Sequence, residues 1–166
     1  MSVVFSTFAQ NKILMEAQKP HRGYLTTTLN CRCPRCREGK LFKHRPTFRF
    51  KKNMQMFRAC EVCGQPTEIE VGFYYGTSYV SYAITVFFSL VSLAIWAFTI
   101  GISVNDNRFF IWLIVNAVVL IALQPWLMRL SRSLWISWFV RYDADWKNHR
   151  PEDYSERLNA DQENNW

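Results

Sequence analysis

A small β unit built around cysteine, followed by a pair of membrane-crossing α-helices, is predicted for this 166-residue chain on three observations. All five cysteines fall between Cys31 and Cys63, and four of them form two CxxC pairs. Two long apolar runs, joined by a short polar turn, occupy the middle of the chain. Charge is unevenly divided: residues 1–78 carry 13 Lys and Arg against 5 Asp and Glu, whereas residues 129–166 carry 6 against 7. The mean hydropathy of −0.11 averages over these unlike parts and hides the apolar centre.

Residues 1–28 read as an N-terminal extension. The opening "MSVVFSTFAQNKILMEAQKP" has no basic start followed by an apolar run of the needed length, so it is not read as a signal peptide. The first membrane segment is therefore expected later, and retained.

Residues 29–73 carry the chemistry. Cys33-Pro-Arg-Cys36 and Cys60-Glu-Val-Cys63 are separated by 23 residues. A two-residue spacer lets each loop fold back so that both sulfurs reach one ion. Four thiolates suit tetrahedral Zn²⁺ at about 2.3 Å per bond. Gly39 and Gly64 permit the tight turns such loops need. The stretch between, "LFKHRPTFRFKKNMQMFRA", alternates enough to predict two or three short strands, which would complete a zinc ribbon. A unit this short buries too little apolar surface to fold securely without a metal. A closed four-sulfur site leaves no open position for substrate, so the zinc is expected to be structural. With no nucleophile–base pair, carboxylate pair or phosphate loop in the chain, an enzyme is not expected. Cys31 is an alternative ligand in place of Cys33, although the CPRC spacing favours Cys33. A redox role for CxxC would call for one motif at a helix start, which is not the pattern here.

The same region is basic. Arg35, Arg37, Lys40, Lys43, Arg45, Lys51 and Lys52 are candidates for contact with anionic lipid or an acidic partner, interleaved with Phe42, Phe48, Phe50 and Phe57. In a soluble protein this would point to nucleic acid. Beside a bilayer each Lys or Arg gains about 1 kcal/mol at an anionic leaflet, which makes membrane lipid the simpler partner. Nucleic acid stays as an alternative, and so does a merely solvated face.

Residues 74–130 predict a two-span hairpin. No charge occurs from Val71 to Asn105. Spans are expected at 79–104 and 109–128, each meeting the requirement of about 20 apolar residues. They lack the alternation of a barrel and are read as helices, with the turn "NDNR" between. Phe73, Tyr74, Tyr75, Tyr79 and Tyr82 crowd one entry, and Trp126 and Trp135 the other exit, as aromatic belts do. Arg129 and Arg132 follow the second span, while the outer turn holds only Arg108, so both termini are placed in the cytoplasm. That compartment is reducing, and free thiols or thiolates are expected. Asn116, Ser89, Ser92 and Gln124 read as helix–helix hydrogen bonding worth about 0.6 kcal/mol each. No ionisable group lies within the spans, which argues against a transport path. Gly72 and Gly76 make only a weak GxxxG.

Residues 131–166 are expected to be an amphipathic segment and a polar tail. "RLSRSLWISWFVRYDADW" fits an interfacial helix, a continuation of the second span past Pro125, or a helix docked on the metal unit. Arg132 sits on its apolar side and breaks the pattern.

Taken together, "CPRCREGKLF", "CEVCG", "EIEVGFYYGTSYVSYAI", the two spans and "SRSLWISWFVRYD" resemble the domain-of-unknown-function 983 family of bacterial membrane proteins, in the version found in Bacteroidetes. The resemblance covers roughly residues 29–145. It implies a bacterial inner-membrane location and metal ligands at Cys33, Cys36, Cys60 and Cys63. Family members commonly have Gly after the first CPxC; Arg37 stands there in this chain. The family has no established activity, and in some bacteria its genes lie near cytochrome oxidase assembly genes. The resulting expectation is a membrane-anchored zinc ribbon that binds or assembles with an unidentified protein partner at the cytoplasmic face, self-association included. Metal handling in cofactor or respiratory-complex assembly and membrane-tethered nucleic-acid binding are the alternatives.

Overall fold

The computed structural model of the chain describes residues 22–101, 106–154 and 157. Of the N-terminal extension, only residues 22–28 fall within them, and most of the polar tail lies outside. Four α-helices occur among the described residues: α1 (Tyr24–Leu29), α2 (Phe50–Asn53), α3 (Thr77–Thr99) and α4 (Arg108–Phe139). A 3₁₀ turn, Phe73–Gly76, leads into α3.

Both long helices are apolar enough to cross a membrane, and most of their surface is not buried within the chain. Phe98 and Phe87, for instance, are 91% and 69% exposed. Helix α3 ends at Thr99, short of the span expected to run to residue 104. The reason is local: Gly101 takes φ +82°, a left-handed conformation that stops a helix, and Arg108 donates to the Ile100 carbonyl at 3.0 Å. The rest of that expected span, residues 102–105, lies outside the described residues.

Hydrogen bonds tie the two helices together where the sequence places its polar residues. Ser92 Oγ donates to Asn116 Oδ1 (2.9 Å), Asn116 Nδ2 to Ser89 Oγ (3.2 Å) and Trp112 Nε1 to Ser92 Oγ (3.3 Å). At the opposite end Gly76 makes room for a contact between α3 and α4. A Cβ on Gly76 would fall 2.4 Å from the Trp135 ring, so its absence lets that ring lie against α3.

Helix α4 runs unbroken through Pro125 for 32 residues. The segment after residue 130 is therefore a continuation of the second apolar run, and it docks on the cysteine unit. Leu127, Arg129, Leu130, Ser131, Ser133 and Ile136 are its buried face. Helix α1 packs on the same stretch, where Ser133 Oγ donates to the Thr28 carbonyl (3.1 Å) and Tyr24 Oη meets Ser137 Oγ (2.9 Å).

The expected strands of a β zinc ribbon are not found. No β-strand occurs among the described residues, and three isolated antiparallel bridges stand instead: Arg32–Lys40, Phe42–Met56 and Ala59–Pro66. Residues 50–53 are helical. The physical reason is competition for backbone carbonyls. Those of His44, Arg45, Asn53 and Met54, which a ladder would use, receive guanidinium protons from Arg129 and Arg132 of α4. A single core joins the two parts: Cys33, Cys36, Leu41, Phe42, Cys60, Ile69, Phe73 and Tyr74 pack with Ile136 and Val140, with Trp135, Trp146 and Tyr154 at its edge.

Candidate metal centre

Each CxxC pair forms a tight loop closed by similar backbone bonds. In the first, Arg37 N donates to Cys33 O (2.8 Å) and Cys33 N to Gly39 O (2.9 Å); in the second, Gly64 N donates to Cys60 O and Cys60 N to Gln65 O, both 2.8 Å. The residue after each second cysteine is left-handed: Gly64 at φ +71° and Arg37 at φ +58°. Glycine adopts this freely, whereas arginine is strained there by about 1 kcal/mol. Two contacts hold Arg37 in place: its guanidinium lies 3.9 Å from the centre of the Tyr142 ring, and Nη1 donates to Arg22 O at 2.7 Å.

The sulfurs of Cys33, Cys36, Cys60 and Cys63 all lie within 4.8 Å of one another. Cys33 and Cys63 approach to 3.7 Å, as do Cys36 and Cys60. Four ligands at about 2.3 Å around a tetrahedral ion would stand about 3.8 Å apart. The cluster therefore fits a tetrahedral thiophilic ion, of which Zn²⁺ is the commonest. Hydrogen bonding among the sulfurs divides their acidities. With Cys33 as its main donor, Cys36 is drawn down to about 7, and Cys60 is drawn down further for the same reason. Cys33 is pushed far up, first by Cys36 and then by Cys60. Cys63 is pulled down by Cys33 but pushed up more by Cys36 and Cys60 together. Four sulfurs at this spacing could bind one cation together as thiolates.

Gly39 is part of the centre. Its amide faces Cys36 Sγ at 3.5 Å, and an added Cβ would sit 2.2 Å from Cys60 Sγ. We expect Gly39→Ala to displace Cys60 and lower zinc affinity by at least about tenfold, read by competition with a chromogenic chelator. Unchanged affinity would place Cys60 outside the ligand set.

Cys31 is not in the cluster. It takes φ +51° and is half-buried; burial pushes its thiol up to about 11 against the pull of nearby Arg129. His44 also stays outside, with its ring on Gln55 Oε1 at 2.9 Å.

The basic candidates separate on inspection. Arg35 is buried and is no surface contact: it donates to Asp143 Oδ2 (3.3 Å), His149 O (2.8 Å) and Cys63 O (3.5 Å). This clamps the segment after α4 over the sulfur loops. Burial opposes ionisation of Asp143, yet the His149 ring, the Asp145 amide and Arg35 together hold its carboxyl below the usual range. Arg37 is occupied by Tyr142, as above. Lys40, Lys43, Arg45, Lys51 and Lys52 remain exposed.

Two buried residues behind the centre were not anticipated as functional. Asn53 is 1% exposed and Arg129 4%. Arg129 Nε donates to Asn53 O (3.0 Å) and Oδ1 (2.8 Å), Nη1 to His44 O (2.7 Å) and Nη2 to Arg45 O (3.0 Å). Asn53 Nδ2 in turn donates to the Pro125 carbonyl at 2.9 Å. Beside this junction a cleft of about 480 Å³ opens between α3 and α4, edged by Met54, Ser81, Gln124 and Ser131.

The model of one protein family, described as "Protein of unknown function (DUF983)", matches residues 50–139. That region holds the second sulfur pair, both long helices and Arg129. No curated protein and no solved structure matches the chain.

Proposed function

The chain belongs to the DUF983 family, and on that premise we propose that it is a membrane-anchored, zinc-stabilised binding or assembly module of the bacterial inner membrane. Cys33, Cys36, Cys60 and Cys63 would hold the ion, which supplies charge neutralisation for four thiolates and closes the two loops on each other. The residues around it do the rest. Arg35 and Asp143 fasten the following segment over the loops, and Gly39 makes room for Cys60. The observation that carries this reading is the shared core. Ile136 and Val140, at the end of α4, pack with Cys33, Cys36 and Cys60, so the metal unit is built onto a helix able to cross a bilayer. Such a unit would move with its anchor and present one fixed surface to a partner. The single Arg108 in the outer turn, against the basic first half, supports cytoplasmic termini.

A second reading, metal handling, is favoured by one observation: Cys63 is half-exposed while Cys33, Cys36 and Cys60 are buried. One experiment addresses both. The full chain, extracted from membranes in mild detergent, is expected to carry one zinc. Titrating zinc into chelated protein at neutral pH is expected to release about four protons, because the thiols of an unfolded, metal-free loop are mostly protonated there and bind as thiolates. Metal-free yet ordered protein, or recovery in the aqueous fraction, would defeat the first reading. Rapid transfer of the ion to an acceptor with residues 29–73 still ordered would establish the second.

A further inference from the structure

We infer that the segment Lys43–Lys52 is a membrane-binding loop for anionic phospholipid, with Phe48 and Phe50 set among the lipids and the cations around them set against phosphate. This rests on the membrane reading above and gives it a lipid partner.

The depth of the loop follows from α4. Between Arg108 and Arg129 there is no charged residue. At 1.5 Å per residue they stand about 31 Å apart along the helix. A bilayer's hydrocarbon core is about 30 Å thick. Arg129 therefore falls at the inner boundary when Arg108 is at the outer one. Arg129 grips the carbonyls of His44 and Arg45, at the start of the loop. Asn53, just after it, bonds to the carbonyl of Pro125, one helical turn deeper. A cross-brace from Thr47 N to Asn53 Oδ1 (3.1 Å) ties the middle of the loop to the residue just after it. Both ends of the loop are thus pinned at headgroup level, independently of the loop's own composition.

That composition matches the place. Phe48 and Phe50 are 65% and 59% exposed, with no described residue covering them. Lys43, Arg45, Arg49, Lys51 and Lys52 are exposed, and none has an acidic partner among the described residues. Five cations and two open aromatic rings in ten residues would suit a nucleic-acid strand as well. The pinned depth decides for lipid, because a strand would have to lie within the headgroup layer to reach both rings. Arg35 and Arg37, with partners inside the fold, take no part.

The test is hydrogen exchange of the full chain in nanodiscs of phosphatidylcholine alone and of phosphatidylglycerol. Amides of residues 43–52 are expected to exchange about tenfold more slowly in the anionic discs, and residues 60–70 equally in both. Phe48→Ser/Phe50→Ser and Lys51→Glu/Lys52→Glu should each abolish the difference while keeping the bound metal. Equal exchange of 43–52 in the two lipids would overturn the proposal alone. So would protection that appears only when a short RNA is added to phosphatidylcholine discs. A chain that stays in solution without discs would overturn the membrane reading and this proposal together.

Discussion

Cys60→Ser is expected to yield a chain with less than about 0.1 zinc per molecule and with residues 29–73 unfolded, while α3 and α4 stay helical. Cys60 is 3% exposed and its sulfur lies 3.7 Å from that of Cys36, so a serine has no room to move aside and no thiolate to offer. Three sulfurs cannot hold the ion as four do. Structural zinc contributes an apparent 10–16 kcal/mol in such units, about the whole stability of a small domain. The loss cannot be absorbed locally, since between the two pairs only Leu41 and Phe42 are buried in the core, with Met56 packed against it. The long helices have a separate source of stability in their packing on each other and the hydrogen bonds between them. The measurement is elemental analysis with hydrogen exchange, and Cys31→Ser is the comparison: lying outside the cluster, it should keep a full complement of metal. Metal retained in Cys60→Ser, or lost in Cys31→Ser, would show that a different set of sulfurs binds.

What could be read from the sequence was what depends on near neighbours. The CxxC spacing forces two sulfurs onto one small loop whatever surrounds it, and a run of apolar residues declares a helix long enough for a bilayer by composition alone. Asn116, Ser89 and Ser92 were legible as helix–helix contacts for a related reason: within an apolar run a polar side chain has few partners. The strands failed because residues 41–59 look extended by alternation, but four carbonyls within them are claimed by arginines more than seventy positions away. Arg35 failed in the same manner. In CPRC it resembles a surface cation, and only the fold brings Asp143 and the His149 carbonyl to it. One signal was present and could have been used. Arg132 interrupts the apolar side of its helix, and in the structure it lies 4.9 Å over the Tyr74 ring with Nη1 on Met54 O. A charge on the wrong face of an amphipathic helix is a request for a long-range partner.

Arg129→Met is expected to destabilise the junction between α4 and the metal unit by about 3–5 kcal/mol, more than any other single change outside the sulfurs. Methionine keeps an apolar stem of similar length, so the loss centres on the guanidinium and its hydrogen bonds. The carbonyls of His44, Arg45 and Asn53 lose the guanidinium as donor together, and the Asn53 amide oxygen is left with Thr47 N alone, around an arginine only 4% exposed. Each such group costs about 1–3 kcal/mol when stranded, and water that enters to relieve them would separate α4 from the loop. The interaction over the Phe42 ring, 4.8 Å from the guanidinium, goes as well. Arg129→Lys separates charge from geometry. An ammonium keeps the charge but has three donors and no planar fork, so it can serve only some of four acceptors spread around the guanidinium. It should restore less than half of the loss. Thermal unfolding in detergent, followed by hydrogen exchange at residues 44–54, reads both variants. The expected order of protection is arginine, then lysine, then methionine, with zinc still bound at low temperature because no sulfur has been touched. Equal protection in lysine and arginine would mean that charge alone holds the unit to its helix; equal protection in all three would mean that the shared core of Ile136 and Val140 suffices without the guanidinium.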